Sequence, residues 1–376
     1  MSATGGAYVS QPMFTYLGNK RKLLSFIESA VLDVKRRLNK DKLVVCDGFA
    51  GSTVVSRMLA AHASEVHTND TELYSYVAAK CFLKRPTPEQ AARVHHHVRA
   101  MNELTAWTEG VVSEMYAPRR TADVQPGERC YFTRENALRI DTWRRYIDES
   151  VEPELRDWTL GPVLVEMSIH ANTMGHFKAF MKSKDGIGRF STSRVTEPLK
   201  LTPPVFNPHE CDVVCHRAPA NDMVRTLPQI DLMYFDPPYN QHEYSAYYFL
   251  LNVVVENRRP TDVNAVTGLP KARYKSPYNA KREALEALTE LMSESVKRAS
   301  YVLVSYNNEG TVSETEWLRV LAPYRHERME QPYKRYTARG KKCSEGHNQV
   351  VETLYLVWAA DKGAKRARES TDSDSE

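Results

Sequence analysis

No apolar run in this sequence approaches the length needed to cross a bilayer, and the richest patch, YYFLLNVVV, is a candidate core helix or strand instead. The opening MSATGGAYVSQP lacks the basic-then-apolar order of a secretory leader, so the expected location is cytoplasmic, with no membrane partner. Cysteine is sparse. The six present, Cys46, Cys81, Cys130, Cys211, Cys215 and Cys343, show no paired metal spacing and read as ordinary reduced thiols. The HHH at 95 to 97 has no cysteine or acid at ligand spacing, reads as a solvated helix face, and gives no reason to expect a metal. Charge of one sign is also lacking: 51 basic residues face 47 acidic ones, for a net +4. That balance allows a basic groove for a polyanion but does not demand one. Internal repeats are absent.

The composition present, 42% hydrophobic and 26% charged over 376 residues, is that of a soluble globular protein with one large domain or two ordinary ones. Residues 20 to 38, KRKLLSFIESAVLDVKRRL, place apolar side chains at helical intervals. KLVVCDGFAGSTVVSRMLAA then runs a β-branched strand through a glycine-containing turn into a helix. EVHTND and TELYSYVAAKCFLK repeat the alternation. Strand, helix, strand, helix is the signature of a parallel sheet with crossovers. Between 85 and 210 the pattern gives way to helices and polar loops. Strand character returns at CDVVCHR, QIDLMYF, RASYVLVSYNN and VVETLYLVWAA. The fold class expected is α/β, a Rossmann-like, mostly parallel sheet. It comprises residues 1–84 and 211–360, with 85–210 inserted and a disordered charged tail at 361–376.

In VVCDGFAGS a buried strand delivers Asp47 to its carboxyl end, where ligands sit in open α/β sheets. Gly48 and Gly51 permit a tight turn, and the helix that follows offers free N–H groups. The Gly-Lys-Ser/Thr ending of a phosphate loop is missing, as is the full three-glycine dinucleotide pattern. Asp70 arrives at the end of the next strand, at the distance where an acid meets ribose hydroxyls. An ordinary strand-to-helix turn explains the glycines equally well. With Asp70 included, the pattern favours a ribose-bearing ligand that is not a triphosphate.

DLMYFDPPYN raises a sharper question. Proline cannot donate to a sheet ladder, so the strand must stop at Asp236 and continue as a stiff corner through Pro237 and Pro238 to Tyr239. Should S-adenosyl-L-methionine occupy the first turn, this corner suits a nucleobase amine. An exocyclic amine is a poor nucleophile because its lone pair is delocalised into the ring. Acceptors for both of its N–H bonds help the nitrogen pyramidalise, and the Asp236 carboxylate and the Pro237 carbonyl are two. Tyr239 can stack on a base drawn out of its duplex, worth roughly 1–3 kcal/mol.

DPPY at 236–239, DGFAGS at 47–52 and YLGNKRKLL at 16–24 resemble the motifs of the Dam-type, alpha-group adenine-N6 DNA methyltransferases. Within that group the chain is most similar to the type II restriction-modification branch related to FokI methylase. YFTRENALRID, ANTMGHFKAF, SYNNEG and VVETLYLV extend the likeness over most of residues 14 to 358. The resemblance implies a methyltransferase domain interrupted by a target-recognition region. It implies that Tyr16, Gly18, Asn19 and Lys20 form an N-terminal cofactor motif, with Tyr16 and Lys20 near the methionine part. Asp47, Phe49 and Gly51 would line the amino-acid end, Asp70 the ribose and Asp222 the adenine ring. Asp236, Pro237, Pro238 and Tyr239 would hold the target adenine. The family usually carries a basic and amide pair just after the corner; here NQHEYS supplies His242 and Glu243. Without the resemblance, Lys20 reads as the solvated start of a helix.

The implied partner is double-stranded DNA, with a cognate restriction endonuclease as a functional rather than physical partner. Two basic, aromatic-bearing stretches, NTMGHFKAFMKSKDGIGRFSTSR and KARYKSPYNAKRE at 271 to 283, are candidate recognition surfaces. The same chemistry on RNA is the nearest alternative. A non-catalytic, cofactor-sensing DNA-binding protein is the alternative from another class, although such a module has no need of Asp236.

Overall fold

The β-branched and apolar segments named above do extend into strands: β1 (Leu43–Asp47), β2 (Ala63–Asn69), β3 (Asp212–His216), β4 (Ile230–Phe235), β5 (Ala299–Asn307) and β7 (Gln349–Trp358). A further strand, β6 (Arg325–Lys334), has too polar a sequence to be read as one. The computed structural model describes residues 3–11, 13–307, 310–334 and 349–360. Cys343 and the expected tail at 361–376 lie outside them.

The strands form one seven-stranded sheet in the order β3-β2-β1-β4-β5-β7-β6. β1 to β5 pair in parallel. β7 runs antiparallel between β5 and β6. The chain moves outward from β1 to β3, then restarts on the other side of β1 with β4. The order therefore reverses between β1 and β4, where open α/β sheets bind their ligands.

Side-chain alternation splits the core into two layers. Val45, Leu232, Tyr234, Leu303, Leu354 and Leu356 pack under the helices Leu24–Leu38 and Val54–Ala60. Cys46, Met233, Phe235, Val302, Val304 and Val357 face the helices Ala220–Thr226, Lys281–Arg298 and Glu314–Leu321. With both faces covered, the central strands are mostly apolar, as in the fully buried β4, whose one acid, Asp231, pairs with Lys40 at 2.8 Å.

Residues 85–210 contribute no strand to this sheet. Thr87 starts the helix Pro88–Glu103 with a capping box to Gln90, and Thr133 caps Arg134–Ser150. These helices share a third apolar cluster with the helices Leu73–Leu83 and Phe249–Glu256. YYFLLNVVV is thus a core helix. The histidine run is only partly a solvated face. His97 is buried and bonds to Tyr146 and Glu152, because the 3.6-residue period turns every third or fourth position inward. The five described cysteines are free thiols.

Candidate functional site

β1 brings Asp47 to the sheet's carboxyl edge, where Gly48 N–H donates to the Tyr234 carbonyl at 3.0 Å and Ala50 N–H to the Asn69 carbonyl at 2.8 Å. The turn is thereby tied to the ends of both neighbouring strands. Its two glycines cannot be enlarged: a Cβ on Gly48 would lie 2.4 Å from the Phe235 ring. One on Gly51, at φ +50°, would lie 2.9 Å from the Tyr16 ring. Asp47 is buried, accepting from the Ser56 hydroxyl at 2.6 Å and weakly from Phe49 N–H at 3.4 Å. Burial pushes its carboxyl up to about 7, against these two hydrogen bonds.

Asp70 follows β2. Its carboxylate accepts from Gly51 N–H at 2.8 Å and Glu72 N–H at 3.0 Å, bracing the glycine turn from the side. Glu72 accepts from the Asn252 amide at 2.7 Å, and burial, helped by Asp70, pushes it up to about 7. Both acids line a cleft that also takes in Tyr16, Phe49, Asp236 and Tyr278. The cleft encloses about 720 Å³ including its open side. Among the described residues, no lysine or arginine lines it. An acidic and aromatic wall repels polyphosphate and suits a cationic ligand carrying hydroxyls and a flat ring.

β4 ends at Phe235, and the Asp236 corner opens onto the same cleft. Behind it lies Lys20, 4% exposed, its ammonium 3.0 Å from Asp236 Oδ1 and 3.0 Å from Glu352 Oε1. Burial opposes the Lys20 charge, but Asp236, Tyr239 and Glu352 hold it well above the usual lysine range. Burial pushes Asp236 up to about 6, against the pull of Lys20 and with Glu352 adding to it. The Lys20 ammonium also sits 5.3 Å over the Tyr239 ring. The corner is rigid for a second reason: the Tyr239 carbonyl accepts from both Thr311 N–H at 2.6 Å and its hydroxyl at 2.9 Å.

Tyrosines fasten the N-terminal segment to this corner. The Tyr16 ring stacks on Tyr248 at 4.6 Å and on Tyr244 at 5.3 Å. Leu17 N–H donates to the Tyr248 hydroxyl at 2.8 Å, and the Tyr244 hydroxyl donates to the Leu17 carbonyl at 3.2 Å.

Of the residues singled out in the sequence, Tyr16, Gly18, Phe49, Gly51, Asp70, Asp236 and Pro238 line the cleft. Asp47, Pro237, Lys20 and Tyr239 back the two turns. Asn19 caps the short 3-10 helix Lys20–Leu23 through Arg21 N–H. Lys20 is no solvated helix start, since two carboxylates draw it inside. Asp222 is not brought into the cleft: its side chain is 64% exposed and pairs with Arg225, although Ala220 of the same helix lines the wall. Glu72, Tyr244, Tyr278 and Glu352 were missed. Glu352 had a signal, a lone acid on the strand face that it shares with the buried Leu354 and Leu356.

The two candidate recognition stretches meet the corner differently. From 172–194, His176 packs edge-on to Tyr247 at 4.4 Å, and the Lys178 ammonium lies 5.3 Å over the same ring. The Tyr247 hydroxyl in turn bonds to His242 at 2.9 Å. In 271–283, Tyr274, Tyr278 and Asn279 line the cleft itself, and the Asn279 amide donates to the carbonyls of Asn240 at 2.5 Å and His242 at 3.1 Å. Glu243, where a basic and amide pair was expected, is paired to Arg273 at 2.6 Å, so a basic group reaches this position from another loop.

Residues 16–309 match the family described as D12 class N6 adenine-specific DNA methyltransferase. The chain is 27% identical over 350 residues to the type II methyltransferase M.NlaIII of Neisseria lactamica, covering 91% of this chain and 98% of that protein. It is 27% identical over 351 residues to the type II methyltransferase M.CviAII of Paramecium bursaria Chlorella virus 1, with 91% and 98% covered. The type II methyltransferase M.FokI of Planomicrobium okeanokoites is 27% identical over 354 residues, 89% of this chain but 52% of that longer protein.

Proposed function

The chain belongs to the D12 class N6 adenine-specific DNA methyltransferase family, and from that premise we propose that it methylates adenine N6 at a specific short site in duplex DNA, in a Dam-type, alpha-group arrangement. Its nearest functional setting is that of its type II relatives, protection of DNA against a cognate endonuclease. The observation that carries the reading is that the Asp236 corner and the Asp47–Ser52 turn open on one acidic, aromatic cleft at the β1/β4 switch point.

The fit to S-adenosyl-L-methionine rests on that lining. Asp70 and Glu72 are acceptors for ribose hydroxyls, Phe49 and Tyr278, in edge-to-face contact at 5.2 Å, give the wall an aromatic surface for a flat ring, and Gly48 and Gly51 line the same cleft. When bound, the cofactor supplies a methyl group on a positively charged sulfonium. The protein's own task is to hold the amine. Asp236 accepts one N–H of adenine N6, the Pro237 carbonyl accepts the other, and Tyr239 stacks on the extruded ring. Holding both N–H bonds draws the lone pair out of conjugation and towards the cleft. The corner's rigidity keeps these acceptors fixed while charge develops on nitrogen. Residues 85–210 are assigned to target recognition, with 172–194 beside the corner, and 1–84 with 211–360 to the catalytic domain. Asp222 is assigned no direct contact. No described helix is long and apolar enough to cross a membrane.

Asp236→Asn removes the anionic acceptor with little change in volume. With labelled S-adenosylmethionine and duplex DNA, methyl transfer should fall at least 1,000-fold, about 4 kcal/mol of barrier, while cofactor affinity stays within a few-fold. Retained turnover sinks the assignment. Transfer to structured RNA in preference to duplex DNA moves the substrate class.

A further inference from the structure

Lys20, Asp236 and Glu352 come from three distant parts of the chain and meet behind the cleft. Two carboxylates share one ammonium at 3.0 Å each, and Glu352 is 1% exposed. The Ser305 hydroxyl donates to Glu352 Oε1, whereas Glu352 Oε2 is buried with no hydrogen-bond partner among the described residues. Such an arrangement is a poor stabiliser. Burying a carboxylate with half its acceptor capacity unmet costs free energy that one shared ammonium does not fully offset. An apolar residue would pack better there, since Leu354 and Leu356 fill the same face of β7.

We propose that Glu352 is a positioning residue for methyl transfer: it anchors the Lys20 ammonium against Asp236 Oδ1, and so leaves Oδ2 for the amine of the target base. This rests on the reading of Asp236 as the amine's acceptor. Lys20 has a flexible four-carbon stem and three donors, and a single carboxylate would leave it free to swing with its partner. Two carboxylates, each 3.0 Å away, fix it. Lys20 over the Tyr239 ring then orients that side chain as well. The charge count has a second effect. One ammonium and two carboxylates leave one negative charge behind the cleft, on the side from which a cationic methyl donor is drawn towards Asp236.

The titratable groups facing Asp236 are Lys20 from the 3-10 helix, Asp47 from β1, Tyr234 from β4, Tyr239 from the corner, Tyr244 from the helix Tyr244–Tyr247, and Glu352 from β7. Burial keeps Tyr234 and Tyr244 protonated. Asp47 titrates nearby in every variant alike, so differences between variants report on Lys20 and Glu352.

The test is single-turnover methylation of duplex DNA across pH 5 to 9 with wild type, Glu352→Gln, Glu352→Ala and Lys20→Met, with cofactor affinity measured in parallel. Glu352→Gln keeps an acceptor for Lys20 but removes a negative charge near Asp236. It should move the acid limb of the rate profile down by about one pH unit and lower the rate less than about tenfold. Lys20→Met should move the limb up by at least as much. Glu352→Ala frees Lys20 and should lower the rate about 100-fold or more, with cofactor affinity changed less than threefold. If Glu352→Gln leaves the limb in place, or moves it up, the proposal is overturned. Should Glu352→Ala fail to fold, the Gln profile decides alone. If Asp236→Asn is inactive while Glu352→Gln is indistinguishable from wild type, only the role of Glu352 fails. If Asp236→Asn is active, the underlying reading fails instead.

Discussion

Three acids in or behind the cleft are held up by burial: Asp47 and Glu72 to about 7 and Asp236 to about 6. Each lies above its unfolded value near 4, so between about pH 4 and 7 these three sites hold more protons in the folded protein than in the unfolded chain, and their contribution to stability falls as pH rises through that window. Burial holds His67, His176, His209, His216 and His242 below the usual histidine range, and their contribution rises with pH. Relative to wild type, Asp47→Asn should therefore gain melting temperature at pH 8 over pH 5. An Asp47→Asn profile parallel to that of wild type rejects a raised Asp47. At this scale the sequence was legible wherever function and burial follow from local context. Asp236 is announced by Pro-Pro, and Gly51 by its turn. Lys20 was not, because a KRK at a helix start is ordinarily solvated; it is buried here because Asp236 and Glu352, both remote in sequence, draw it inside.

At the scale of elements, the loop expected to touch DNA at 271 to 283 is built into the wall of the cleft. Asn279 ties it to the backbone just beyond the DPPY corner. Asn279→Ala removes both hydrogen bonds, worth about 1–3 kcal/mol to that segment. Hydrogen exchange of residues 240–243 should speed up about tenfold or more, and the KM for DNA should rise while cofactor affinity changes less. Unchanged exchange there would mean that the clamp is not rate-determining for local opening. The strands of the parallel core were readable because both faces are covered, which leaves near-continuous apolar runs. β6 was not readable: RHERMEQPYK lies at the edge of the sheet, where one neighbour suffices and polar residues predominate. The loop's true position was also hidden, since it is set by contacts to the corner rather than by its own composition.

For the whole molecule, a net charge of +4 says little about DNA until the fold sets lysines beside the corner. Lys178 lies over Tyr247 and Lys182 over Phe180, both on the inserted segment. Reversing both, Lys178→Glu with Lys182→Glu, should weaken duplex binding at least tenfold and reduce the slope of log affinity against log salt by about 2. Fluorescence anisotropy between about 50 and 200 mM salt measures both. An unchanged slope removes this segment from the phosphate-contacting surface. The sheet order carries a consequence for biosynthesis. β7 is not an outer strand but slides between β5 and β6, and it brings Glu352 to Lys20. A ribosome must therefore have passed residue 352 before the methylation centre can be assembled. A nascent chain halted earlier would leave β5 unpaired along one side and the lysine tethered by a single acid. Incomplete products should accordingly be both catalytically silent and prone to pair with one another along that bare strand.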